Sequence, residues 1–193
     1  MKKNFSNRIV FLLLFTFVFL FPITARADDD LSITAWIVNA QILENGDLQI
    51  QEELSFAFND AFNGVFREII LEKTSGIDGL RVSEVAGANA KEYIQAEDAR
   101  NGDTNVFIVE EYNDRVNLKI FSPSKNEVKT FRINYTVKNV AIKYTDIGEI
   151  YYKFLGDENK TSIEHFKVFI DLPEPGEAQQ VNIFAHGPLN GTI

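Results

Sequence analysis

The chain has 193 residues, no cysteine, two histidines and a formal net charge of −9, with 45% hydrophobic and 12% aromatic residues. Disulfide stapling and thiol chemistry are excluded, an acidic surface disfavours nucleic acid by plain repulsion, and the apolar content is that of a folded domain rather than a disordered chain. Packing alone must hold such a domain together.

The first 27 residues read as a secretory signal. Lys2, Lys3 and Arg8 form a basic start, Ile9 to Ile23 run apolar apart from Thr16 and Pro22, and Ala25-Arg26-Ala27 sets small side chains where a signal peptidase must fit them. Asp28-Asp29-Asp30 opens a different composition, so cleavage is expected after Ala27. An apolar run of about 15 residues rises only ~22 Å as a helix, short of the ~30 Å hydrocarbon core, which favours a cleaved signal over a retained anchor. Without a cysteine near the site, attachment through a lipid-modified N-terminal cysteine is excluded. Loss of the segment removes four basic residues and no acidic ones, leaving 15 basic against 28 acidic and a net charge of −13.

Residues 28–193 are expected to form a single extracytoplasmic β-rich domain. Trp36 to Phe58 reads as two extended runs around Glu44-Asn45-Gly46-Asp47, where Asn-Gly predicts a tight type I′ turn. In the second run Leu48, Ile50, Leu54, Phe56 and Phe58 share one parity against Gln49, Gln51, Glu53 and Ser55, the pattern of a half-buried strand. Asn59 to Gly64 is turn-like, and a third strand is expected over Val65 to Leu71. Residues 72–104, with Gly76, Gly79, Gly87 and Gly102 among short apolar pieces, predict one or two short strands and loops. Val106 to Val109 and Val116 to Ile120 predict another hairpin. Phe131, Ile133, Tyr135 and Val137 alternate cleanly, as do Phe166, Val168, Ile170 and Leu172 before Pro173 and Pro175 end the run. Val140 to Leu155 fits either a short helix or a strand pair. No stretch after Ile23 is apolar enough to span a membrane as a helix. The fold class expected is mainly β, an antiparallel β-sandwich.

Chemistry is sparsely signposted. A nucleophile–histidine–carboxylate set has only His165 and His186 to draw on; His165 falls on the polar face of a strand and His186 before Gly187-Pro188 at a turn. Two histidines 21 residues apart make a poor zinc set, and Asp28 to Asp30 lack the following ligand spacing of a calcium loop. No phosphate-cradling glycine loop or dinucleotide fingerprint occurs, so no cofactor is expected. Carboxylates are numerous enough that a glycosidase-like pair is open to this chain, because such pairs meet only in the fold. Glu52 stands out: it shares the parity of the apolar side chains of its strand, where a carboxylate needs a partner. Arg67, from Gly64-Val65-Phe66-Arg67, is the candidate, reaching back from the following, neighbouring strand as a structural ion pair.

Asn45-Gly46-Asp47-Leu48, Gln51-Glu52, Phe58 and Phe62-Asn63-Gly64-Val65-Phe66-Arg67 together resemble the opening of the predicted membrane proteins grouped as domain of unknown function 2207. Lys129 to Val137, Tyr144-Thr145-Asp146, Glu149 to Phe154, Phe169 to Pro173 and Phe184 to Gly191 follow in the family's order, with Gly64, His186, Gly187 and Gly191 as its turn positions. The resemblance covers about Ile33 to Ile193. It implies a signal peptide, an extracytoplasmic β-rich domain and then transmembrane helices, and it supplies no catalytic residues. The chain stops where the family's domain usually continues, so a truncated product is expected, with a sheet edge or apolar groove left open.

The function expected is a non-enzymatic exported module that binds a protein or cell-wall component, at the cell surface and tethered to the membrane in full-length relatives. The alternative is a wall-associated, carboxylate-dependent hydrolase such as a glycosidase. Close buried carboxylates in a cleft would mark the enzyme, and a flat apolar or aromatic patch the binder.

Overall fold

The computed structural model describes residues 29–157, 159–173 and 181–185. The expected cleavage site after Ala27 and the turn residues His186, Gly187 and Gly191 lie outside them. The fold is mainly β, and the cleanly alternating runs 48–58 and 131–137 both lie in strands of eleven residues. β1 (Leu31–Ile42) and β2 (Leu48–Phe58) pair antiparallel, and β9 (Glu127–Val137) pairs the other side of β2. β4 (Ile77–Ala86) adds to β9 and β5 (Asn89–Glu92) to β4, completing one side of the larger sheet. On its other side, β12 (Ser162–Ile163) and β13 (Phe166–Asp171) run along β1.

The second sheet is β3 (Phe62–Ile70), β8 (Arg115–Ser124), β7 (Val106–Glu111) and β6 (Ile94–Gln95), paired in that order. Its inner face presents Val65, Ile69, Val116, Leu118, Ile120 and Phe107. These pack into one apolar cluster with Trp36, Val38, Ile50, Leu54, Phe131 and Ile133 of the larger sheet, and two sheets sharing one core make a sandwich.

Three features differ from expectation, and one open alternative is resolved. Of the helix and the strand pair left open for 140–155, the strand pair forms, β10 (Ala141–Lys143) and β11 (Gly148–Ile150), with the chain turning at Thr145-Asp146 between them. The β1–β2 turn is not type I′. Gly46 alone takes positive φ (+85°), Gly46 N donates to Leu43 O at 3.0 Å and Leu43 N to Asp47 O at 2.9 Å, giving a three-residue loop closed by a glycine bulge. Pairing is not purely antiparallel: β12 and β13 run parallel to β1 and β6 parallel to β7, since the chain returns to those edges by crossing over instead of through a hairpin. The glycine-rich stretch holds a ten-residue strand, β4, whose register shifts between Asp78 and Arg81, around the positive-φ Gly79 (+64°).

Candidate functional site

Strand parity explains why Glu52 is inside. Along the larger sheet it stands in a row with Val38, Ile133 and Val82, all pointing at the second sheet. Its partner comes from across the core. Arg67 Nε donates to Glu52 Oε2 at 2.8 Å and Nη2 to Oε1 at 2.7 Å, a two-pronged contact between side chains that are 5% and 0% exposed. The two residues are not on neighbouring strands, as the sequence had suggested: β2 and β3 belong to different sheets, so the pair spans the sandwich.

Gly64 positions that arginine. It sits at a bulge in β3, and an added Cβ would stand 1.9 Å from Ile120 O. Only a residue without a side chain lets β3 press onto β8 there, three positions ahead of Arg67.

The rest of the cluster escaped sequence reasoning. Tyr135 donates its hydroxyl to Glu52 Oε1, Arg67 Nη1 donates to Glu68 O, and Arg67 Nη2 also reaches Phe154 O at 3.0 Å. The guanidinium carbon lies 4.5 Å from the centre of the Trp36 ring. Tyr152 closes the group; its hydroxyl, like Trp36 Nε1, is buried without a hydrogen-bond partner among the described residues. One signal was available: Tyr135 shares the buried parity of Phe131 and Ile133, and a buried phenol needs a partner.

These contacts set the charge states. Burial works against the Arg67 charge, but the Glu52 carboxylate outweighs it and holds the guanidinium more firmly protonated than usual. Burial, then the Glu52 charge, drives the Tyr135 hydroxyl well above its ordinary value. Burial, partly offset by Arg67, pushes Tyr152 up to about 12. The cluster is a closed electrostatic joint in which both Glu52 oxygens are already engaged.

Through Phe154 O and Tyr152, the joint holds the segment that follows the β10–β11 hairpin. The opposite root of the hairpin is held by the β1–β2 turn: Val140 N and Ala141 N both donate to Gly46 O at 2.9 Å, and Asn139 N donates to Asp47 Oδ1 at 2.9 Å. That last hydrogen bond, against some burial and with help from Asn45 and Lys138, keeps the Asp47 carboxyl below its usual pKa. The strand pair thus projects from two fixed points.

Its two faces differ. Ala141, Ile150 and Tyr152 turn inward onto the core. Ile142 pairs with Glu149 and Tyr144 N donates to Ile147 O, which places Ile142, Tyr144, Ile147 and Tyr151 together on the outer face. All four are 50–57% exposed, and Lys73 Nζ rests 4.4 Å from the Tyr151 ring centre. The outer face of the hairpin thus groups two isoleucines and two tyrosines with Glu149 in an exposed, largely apolar patch.

Elsewhere, a shallow depression beside Phe62, Asn63, Pro123 and Lys125 shares no residue with the cluster. His165 is exposed, and its carbonyl accepts from Trp36 N at 2.8 Å. Among the described residues no group of three or more His, Cys, Asp or Glu is arranged to hold a metal ion, and no helix is long and apolar enough to cross a membrane.

Comparison with known proteins agrees with the sequence resemblance. No curated protein matches the chain. Among solved structures, the M1 zinc metallopeptidase from Deinococcus radiodurans is 9% identical with a TM-score of 0.35, over 57% of this chain and 21% of that one. A two-domain M1 zinc metallopeptidase bound to L-tryptophan gives the same values. This chain spans about a fifth of their length, and a likeness of that degree carries no argument about zinc or peptide chemistry. Over residues 32–193 the sequence matches the family described as Predicted membrane protein (DUF2207) N-terminal domain, and the chain belongs to that family.

Proposed function

We propose that this is a non-enzymatic, extracytoplasmic binding module of a membrane protein, exported by residues 1–27, and that it engages a protein or cell-wall component through the outer face of the β10–β11 hairpin. The observation that carries the proposal is the grouping of Ile142, Tyr144, Ile147 and Tyr151, all about half exposed, on a strand pair pinned at both roots. Tyrosine and isoleucine offer large contact area with little side-chain freedom to lose, and a mount hydrogen-bonded at both roots lowers the ordering cost of binding. The carboxylate most sheltered from water, Glu52, is occupied by Arg67 and Tyr135 and offers no free oxygen to a substrate.

A photo-reactive residue at position 144, in protein expressed in cells, should give a discrete adduct with a protein or a wall fragment. The substitutions Ile147→Ser and Tyr151→Ser should abolish it while leaving the melting curve unchanged. Absence of any adduct, together with release of reducing sugar from purified wall sacculi, would replace the binding module with the hydrolase.

A further inference from the structure

β13 is the outermost strand on its side of the larger sheet, and among the described residues nothing pairs with its outer edge. Trp36 N donates to His165 O at 2.8 Å, so the odd-numbered residues of β13 direct their backbone groups toward β1. By the alternation of a parallel ladder, Phe166, Val168 and Ile170 turn theirs to the open edge. The side chains there are apolar as well: Phe166, Phe169, Ile170 and Leu172 are 41–54% exposed. Natural proteins normally blunt such an edge with proline, bulges or several charged side chains, lysine above all. This strand carries only Lys167 and Asp171, two residues either side of Phe169.

That spacing is self-complementary. We propose that two copies of this chain pair antiparallel through β13 about a two-fold axis at Phe169, extending the larger sheet from one copy into the next. In that register Lys167 of each copy faces Asp171 of the other, so both charged pairs form at once, as an isologous interface requires. Val168 faces Ile170 and Phe166 faces Leu172, on the face that Trp36 and Val38 bury further into the sheet. Phe169 meets its own counterpart on the opposite face. The backbone agrees with the side chains. Val168 and Ile170, whose N–H and C=O groups are free, fall at hydrogen-bonded positions of the new ladder, and Phe169 falls at a non-hydrogen-bonded position, where facing side chains come closest. A register displaced by one residue about a different axis would set Lys167 against an apolar side chain. The opposite edge strand, β5, carries Asn89, Lys91 and Glu92 and has no comparable symmetry. The proposal is independent of the hairpin reading, because it uses a different edge and different residues.

The chain has no cysteine, which makes the test direct. In the full chain expressed in cells, Phe169→Cys should convert on mild oxidation to a disulfide-linked species at twice the mass of the monomer, and reductant should return it to the monomer. Val168→Cys, whose cysteines would face Ile170 and not each other, and Lys91→Cys on β5 should stay monomeric. A second variant set guards against a folding defect: Lys167→Asp combined with Phe169→Cys should lose the dimer band by setting two like-charged pairs across the axis, and adding Asp171→Lys should restore it. Equal cross-linking of the three single-cysteine variants would overturn the proposal. So would failure of the charge exchange to restore a band that Lys167→Asp had removed.

Discussion

Arg67 meets Glu52 through two nitrogens, at 2.8 and 2.7 Å, from the opposite sheet of the sandwich. The pair is therefore a tie between layers, and each half is stranded if the other is removed. Glu52→Ala and Arg67→Ala should each cost about 3–5 kcal/mol, the usual penalty for an uncompensated buried charge, whereas Glu52→Leu with Arg67→Met should recover much of the loss. Urea melts of the four proteins check this. Additive losses, or single losses under about 1 kcal/mol, would mean the two charges are solvated independently.

Gly64→Ala should destabilise by about 2–3 kcal/mol or more, since the new methyl meets the Ile120 carbonyl and β3 must lift from β8. The same variant should move Arg67. Trp36, the only tryptophan, lies against that guanidinium, so a shifted emission maximum in the folded protein is the second readout.

Asp47 predicts a pH dependence. Its carboxyl is held below the ordinary aspartate value by the Asn139 N–H, so the folded state binds the proton more weakly than the unfolded state. The stability it contributes is complete above the unfolded value and declines as pH falls through the folded one. Asp47→Asn should be the less stable protein at neutral pH, with the gap to wild type closing on acidification below about pH 4. A gap that stayed constant down to acid unfolding would show that the Asp47 charge does no stabilising.

The alkaline side is governed by tyrosines. Burial raises Tyr93, Tyr135 and Tyr152, so the protein holds those protons more tightly when folded, and the stability they add is present below the ordinary tyrosine value and lost as pH climbs above it. Tyrosinate absorbance from these three should appear only together with loss of the folded signal. In Tyr135→Phe that late step should shrink, and absorbance from Tyr135 well before unfolding would contradict its contact with Glu52.

Much of this was written in side-chain parity. The strands around Leu48–Phe58 and Phe131–Val137 could be read because one face is buried and the other wet, and Glu52 could be singled out for breaking that rule. Parity has no information about which strand lies opposite, which is why Arg67 was placed beside Glu52 and not across from it. The segment 140–155 was ambiguous because apolar side chains fall on both faces of its strand pair, Ile150 and Tyr152 inward, Ile142 and Tyr144 outward, and the alternation blurs. β4 was obscured by glycines that serve its bulge. The parallel pairing of β1 with β13 depends on the path of everything between them, which no local pattern records.

That pairing also imposes an order of events. β1 emerges first from any machinery that delivers the chain N-terminus first, and β2 can zip onto it at once, but its other edge must wait for Phe166–Asp171, more than 120 residues later. Contacts so distant along the chain form slowly, because a long loop must close before they repay its entropy. Until then the ring of Trp36 lacks the edge-on contact of Phe166, whose centre finally settles 5.1 Å away. Among the described residues the domain closes like a clasp whose two ends are the first and last strands to appear, and its single indole sits at the catch.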